Sequence, residues 1–172
     1  MINMAIRPII TAPNPILRKP TERIQVIDAH IRGIVEDMLD TLEHAEGAGL
    51  AAPQIGVSLR LCVLHLPDWE PFVLVNPDIV KRKGTRDVEE SCLSIPGYQG
   101  KIQRAVEVTI EAFDLEGNPV RLKARDLLGQ ALEHEIDHLD GKLYTDYLKS
   151  PSNLQKIEPG NKSESKEAAH VS

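Results

Sequence analysis

Residues 125–139, RDLLGQALEHEIDHL, combine a helical hydrophobic pattern with a pair of histidines. The apolar residues recur at intervals of three and four and predict one buried helix face, made of Leu127, Leu128, Ala131, Leu132 and Leu139. His134 and His138 are four positions apart, which on a helix places both imidazoles on one face, one turn apart. The stretch therefore predicts a helix that presents two metal-binding nitrogens to the protein interior.

Glu135 lies between the two histidines and favours a catalytic site. Two histidines at this spacing can also satisfy hydrogen bonds in a core, without any metal. The pattern His-Glu-x-x-His, however, is typical of hydrolases in which the glutamate acts as general base beside a metal-activated water. Such a site needs a third ligand. Because the downstream His170 lies in a polar tail, we expect the third ligand upstream.

The chain has two cysteines, and their surroundings differ. Cys62 lies in the apolar run LRLCVLHL, which predicts a small buried structural residue. Cys92 lies in the polar segment EESCLSIPG, residues 89–97, where a thiolate can face a cleft. A thiolate and two imidazoles leave one position free for water, as in catalytic sites. We therefore expect Cys92, His134 and His138 to bind one divalent metal ion.

The remaining patterns predict an α+β fold, with mixed, mainly antiparallel sheets packed around the C-terminal metal-binding helix. A helix is expected after an N-cap at Asp28 and before Gly47, because apolar residues recur there at helical spacing. Apolar or alternating runs predict strands at residues 59–66, 72–75, 106–111 and 120–122, with a hairpin turn at 114–118. Three prolines in residues 12–20 predict an extended arm instead of a helix.

Composition and charge restrict the class of protein. The chain has 172 residues, 41% apolar and 27% charged, which is typical of one globular domain. We expect a single catalytic domain over residues 1–150 and a polar, disordered tail over residues 151–172. A net charge of −6 and 3% aromatic residues argue against direct readout of nucleic acid. The lack of a secretion signal or of an apolar run near ~20 residues predicts a cytoplasmic protein without a membrane partner.

Three separated motifs resemble the peptide deformylases, metal hydrolases that remove the formyl group from nascent proteins. The family's GxGLAAxQ is similar to residues 47–54, GAGLAAPQ. Its EGCLS is similar to residues 90–94, ESCLS, and its HExDH to residues 134–138, HEIDH. The order and spacing of the motifs also agree, and the resemblance covers roughly residues 5 to 148.

This resemblance implies hydrolysis of N-formylmethionyl peptides by a metal-activated water. Glu135 is implied to act as general base toward that water and then as general acid toward the leaving amine. The metal, the side-chain amide of Gln54 and the backbone N–H of Leu93 are implied to stabilise the negatively charged oxygen. The family's usual ion is Fe²⁺, and Zn²⁺, Ni²⁺ or Co²⁺ can occupy its site.

The resemblance also implies how the substrate binds. The family binds its peptide as an added strand along the segment that corresponds to residues 47–49, which places Ala48, Gly49 and Ser91 beside the substrate. Transient contact with the ribosome, near nascent chains, follows from the origin of the substrate. Glu90 and Arg104 match two positions that pair in the family.

Two residues differ from the family pattern. Ser91 stands where the family generally has glycine, and its Cβ either crowds the peptide or points away. Glu133 stands where the family often has glutamine; facing the site it would raise the pKa of Glu135, and facing solvent it would have no effect. Two alternatives stay open: another metal-dependent amidase or peptidase with His-Glu-x-x-His, and a non-catalytic relative that binds peptide or ribosome.

Overall fold

The computed structural model describes residues 5–158. Two helices carry most of the helical residues, α1 (Ala29–Ala45) and α2 (Asp126–Leu139). This part of the chain has eight strands: β1 (Gly49–Ala51), β2 (Leu61–Leu64), β3 (Phe72–Lys83), β4 (Arg86–Cys92), β5 (Ile95–Arg104), β6 (Glu107–Phe113), β7 (Pro119–Arg125) and β8 (Leu154–Lys156). Their named pairings are all antiparallel, which confirms the predicted α+β class. In residues 5–158 no helix is long and apolar enough to cross a bilayer.

A five-stranded sheet in the order β1-β2-β3-β6-β7 separates the two helices. Cys62 and Leu64 of β2 belong to the core on the α2 side, whereas Leu61 and Val63 pack with α1 on the other side. Because both faces of β2 are buried, the strand is apolar at every position. α1 covers the β1–β3 half of its side, and no helix within residues 5–158 covers the β6–β7 half.

A second sheet, in the order β4-β5-β8, carries the cysteine segment. β4 and β5 form a hairpin that turns at Leu93 and Ser94, directly after Cys92. β8 pairs with β5 and places Leu154 against a small core. The prediction of a disordered tail is therefore wrong for residues 151–158, because this strand has a partner and an apolar contact. Residues 159–172 of that tail lie outside the described part of the chain.

The predicted ends of α1 are confirmed. The Asp28 carboxylate accepts a hydrogen bond from the Ile31 N–H at 3.0 Å, and Glu46 adopts a left-handed conformation with φ 53°. The hairpin turn at 114–118 is confirmed as well, with the Asp114 carboxylate accepting from the Asn118 N–H at 2.9 Å. The arm is not wholly extended, because residues Pro15–Arg18 form a 3₁₀ turn capped by Asn14 that buries Leu17.

Candidate metal centre

The three predicted metal ligands converge at the junction of α2 with the second sheet. Cys92 is the last residue of β4, and His134 and His138 lie one turn apart on α2. Nε2 of His138 lies 3.2 Å from the Cys92 sulfur and 3.2 Å from Nε2 of His134. The three ligand atoms all lie within 4.8 Å of one another, so one ion can contact all of them.

The chemistry of this donor set fits a divalent cation. Nδ1 of His134 lies 2.6 Å from a carboxylate oxygen of Glu90, which can only accept, so Nδ1 donates to it and Nε2 is the nitrogen left to bind a metal. The Ser94 N–H donates to the Cys92 sulfur at 3.4 Å, which helps to hold the sulfur beside the two imidazoles. Three lone pairs this close together are satisfied by a shared cation. Soft thiolate with imidazole is a donor set for zinc or iron, and hard ions such as magnesium prefer oxygen.

A buried ion pair holds the His134 ring in place. Arg104 donates to Glu90 through two nitrogens and to Asp137 at 2.6 Å. Burial alone would raise the pKa of Glu90, but hydrogen bonds and charge from His134 and Arg104 lower it to about 2. Tyr147 completes the network by donating to Asp137 at 3.0 Å. The pairing of Glu90 with Arg104 agrees with the sequence prediction, whereas the roles of Asp137 and Tyr147 were not predicted.

Glu135 is buried beside the predicted metal ligands and packs against β1. A Cβ added at Gly49 would lie 2.5 Å from Oε1 of Glu135, so a side chain at position 49 would displace the carboxylate. Oε2 of Glu135 is buried without a hydrogen-bond partner in residues 5–158. Because burial disfavours the charged form, the pKa of Glu135 is raised to about 7. A carboxyl group with this pKa can both accept and release a proton near neutral pH.

Gln54 is held by both ends of its side-chain amide. Its Oε1 accepts from the Ala51 N–H at 2.9 Å, and its Nε2 donates to Oγ of Ser94 at 3.1 Å. These contacts aim the NH₂ end toward Cys92, whose sulfur lies 3.8 Å from Nε2. Leu93 lies in the adjacent turn, and within residues 5–158 its N–H donates to no other group. Two donors are thus available beside the ligand set.

The two residues that differ from the family pattern occupy different surroundings. Ser91 is exposed on β4. Glu133 is buried and faces neither the metal ligands nor solvent. Its carboxylate accepts from the Ala105 N–H at 2.9 Å and from Nε of Arg82 at 3.1 Å, which ties α2 to the sheet. Neither of the two surroundings predicted for Glu133 is therefore correct.

Comparisons with known proteins agree on one family. Residues 6–154 match the family described as Polypeptide deformylase. A curated peptide deformylase of Dehalococcoides mccartyi is 50% identical over 157 residues, 91% of this chain and 94% of the relative. The crystal structure of a peptide deformylase from Legionella pneumophila superposes with TM-score 0.83 at 44% identity, covering 87% of this chain and 89% of that one. A Synechococcus elongatus peptide deformylase in complex with actinonin gives TM-score 0.83 at 35% identity, with 89% and 84% covered.

Proposed function

The chain belongs to the polypeptide deformylase family and hydrolyses the formyl amide at the amino end of polypeptides, and we propose that Glu135 moves the proton in this reaction. Glu135 accepts a proton from the attacking water and later delivers it to the departing amine nitrogen. The products are formate and a polypeptide with a free α-amino group. The observation that carries the proposal is the buried Glu135 carboxylate beside the convergent Cys92, His134 and His138, with one oxygen free of any partner in residues 5–158.

The family requires a divalent metal, and Cys92, His134 and His138 are the residues we propose to hold it. When bound, such an ion polarises the carbonyl oxygen and lowers the pKa of water toward ~7. Fe²⁺ is the ion we propose, because Zn²⁺ favours four ligands whereas iron accommodates more; Zn²⁺, Ni²⁺ and Co²⁺ suit the same donors. Elemental analysis of protein isolated without oxygen tests this choice, and zinc as the sole metal would contradict it.

Gln54 and Leu93 are proposed to stabilise the oxygen that becomes negatively charged during attack. The amide of Gln54 is fixed by its contacts with Ala51 and Ser94, so no reorganisation is needed when the charge develops. The N–H of Leu93, in the neighbouring turn, has no hydrogen-bond partner among residues 5–158 and can donate to this oxygen. Preorganised donors of this kind are worth about 2.7–4 kcal/mol each in transition-state stabilisation.

The substrate is proposed to bind as an extended strand between β1 and β4, along Ala48, Gly49 and Ser91. Both strands are sheet edges, so each has backbone groups available for pairing. Both also reach the metal centre, since Gly49 contacts Glu135 and Cys92 contacts His138. The actinonin bound to the Synechococcus relative supports a ligand cleft in this fold. We further propose action in the cytoplasm, with transient contact to the ribosome from which formylated chains emerge.

The test is release of formate from formyl-Met-Ala-Ser by metal-loaded protein, with acetyl-Met-Ala-Ser as the matched amide. We expect formate from the formyl peptide and no cleavage of the acetyl peptide. Glu135→Gln is expected to keep its metal and its fold but to lose at least about 100-fold in kcat, because the general base is gone. Equal cleavage of both peptides would favour a general amidase. Binding of the peptide without turnover would favour a non-catalytic relative.

A further inference from the structure

The half of the five-stranded sheet that α1 leaves uncovered carries a concentration of positive charge. Its outward side, opposite to α2, presents five long cationic side chains, which we call the basic sheet face: Lys81, Lys83, Arg121, Lys123 and Arg125. Residues paired across neighbouring strands point to the same side. Lys81, Thr109 and Lys123 are such partners across β3, β6 and β7, so the two lysines share a face with an uncharged residue between them.

One carboxylate in this face is surrounded by three of the cations. Glu107 lies 2.7 Å from Arg125, 3.6 Å from Lys83 and 4.0 Å from Lys123. The Glu107 side chain is 7% exposed, whereas the three cationic side chains are 54–65% exposed. The long side chains therefore cover the acid and keep their charged ends in solvent. This arrangement also explains why Glu107 is buried although its strand alternates polar and apolar residues.

The other carboxylates of the basic sheet face are also paired with cations. Glu111 pairs with the exposed Arg121. Asp78, next to Glu111 in the register, contacts both Arg23 and Arg60. Cations therefore outnumber carboxylates on this face, although the whole chain carries a net charge of −6. The balancing acids lie elsewhere, including four on α1: Glu36, Asp37, Asp40 and Glu43.

We propose that the basic sheet face binds the phosphate backbone of single-stranded nucleic acid without reading its sequence. Residues two apart on a strand are separated by about 6.8 Å, so Lys81 and Lys83, or Lys123 and Arg125, can contact successive charges of one backbone. Binding of phosphates by Lys and Arg releases condensed counterions and needs no base contacts. Phe113, 42% exposed on the same side of β6, offers a ring on which a base can stack.

The size of the basic sheet face determines the affinity that we expect for nucleic acid. Three strands span only about 10 Å, and the acidic α1 borders the face, so few phosphates fit. We expect a dissociation constant of about 10⁻⁴–10⁻⁶ M at physiological salt, as for other electrostatic, sequence-independent contacts. Because α2 packs on the opposite side of the sheet, bound nucleic acid leaves the metal centre open to a peptide. This inference does not depend on the proposed hydrolysis.

The experiment titrates metal-loaded protein against a short fluorescent oligouridylate and follows anisotropy at several salt concentrations. Contacts from five cations predict a slope of log K against log salt of about −3.5. Lys81→Gln/Lys123→Gln should reduce the size of the slope by about 1.4 and weaken binding about tenfold at low salt. The matched control, Lys149→Gln/Lys156→Gln, removes the same charge from two exposed positions outside the basic sheet face and should bind as wild type does.

Three results would overturn the proposal: no salt-dependent binding, an equal loss in both double variants, or equal affinity for polyglutamate of the same length. The last result would indicate that any acidic partner is accepted. Arg121→Gln, a single change at the end of the face, provides a second variant if the double variant does not fold, and it should reduce the slope by about 0.7. Cleavage of formyl-Met-Ala-Ser should be the same in all these variants.

Discussion

Arg104 donates to both carboxylate oxygens of Glu90, from Nε to Oε1 at 2.9 Å and from Nη2 to Oε2 at 2.6 Å. The same Oε2 accepts the Nδ1 proton of His134 at 2.6 Å. The guanidinium therefore fixes the carboxylate that in turn fixes the ring of His134, a proposed metal ligand. Both members of the ion pair are buried, so neither can replace its partner with water.

Arg104→Met is expected to weaken both the fold and the metal centre. The free energy of unfolding should fall by about 3–5 kcal/mol, because Glu90 and Asp137 are left buried without their cation. Metal affinity should fall about 10–100-fold as the His134 ring loses its fixed orientation. Arg104→Lys keeps the charge without the planar fork and should recover only part of each loss. Urea unfolding and competition with a chelator measure the two effects; unchanged metal affinity in folded Arg104→Met would contradict this role.

The two buried cysteines provide a matched pair for the metal assignment. Cys92→Ala should abolish stoichiometric metal binding and the increase in Tm on adding metal, which for a ligand at 100 times its Kd corresponds to about 2.7 kcal/mol. Cys62→Ala should keep the full metal content, because burial raises the pKa of this thiol and keeps it neutral in the core. Its free energy of unfolding should fall by about 1 kcal/mol, since a buried side chain is shortened. Full metal content in Cys92→Ala would contradict the assignment.

Gln54→Ala is expected to lower kcat about 10²–10³-fold, because it removes one preorganised donor to the developing negative charge. Metal content should stay unchanged, since Gln54 is not a ligand. Gln103→Ala, an exposed glutamine on β5, is the control and should have wild-type turnover. Steady-state kinetics with the formyl peptide separate kcat from KM. Near-normal kcat in Gln54→Ala would exclude Gln54 from the reaction.

Two truncations test the C-terminal segment. A chain ending at Glu158 should match the full chain in stability and turnover. A chain ending at Ser150 loses β8 and the contact of Leu154 with the core around Cys92, and should be less stable by about 1–2 kcal/mol. Its turnover at low temperature should persist, since no metal ligand is removed. Thermal unfolding of the two proteins measures the difference, and equal Tm values would show that β8 contributes nothing.

Helix α2 was predictable because the sequence patterns that indicate it are local. Helical spacing of apolar residues and the His-Glu-x-x-His pattern lie within fifteen positions, and the structure places α2 at Asp126–Leu139 as expected. The capping residue Asp28 likewise needs only its neighbours to be recognised. Cys92 could be distinguished from Cys62 because one lies in a polar segment and the other in an apolar strand.

The second sheet escaped prediction because two of its inward positions, Glu90 and Arg104, are charged. Val88, Glu90 and Cys92 alternate as buried residues of β4, and Ile102 and Arg104 do so in β5. The ion pair that orients His134 thus occupies two inward positions where apolar residues would be expected. The alternation of apolar and polar residues that predicts a strand is therefore not visible in the sequence. The charge is stabilised by a partner on another strand, which no local pattern reveals. The surroundings of Glu133 were missed for the same reason.

The Cys92 sulfur and the His138 imidazole come from positions 46 residues apart in the chain. Cys92 ends β4 of the second sheet, whereas His138 lies on α2, which packs on the five-stranded sheet. An ion can therefore be captured only by a chain whose two sheets have already docked. Metal uptake during refolding can be followed by the absorbance of a cobalt-substituted sample. It should coincide with formation of the native state and occur later than the circular-dichroism signal of helix formation.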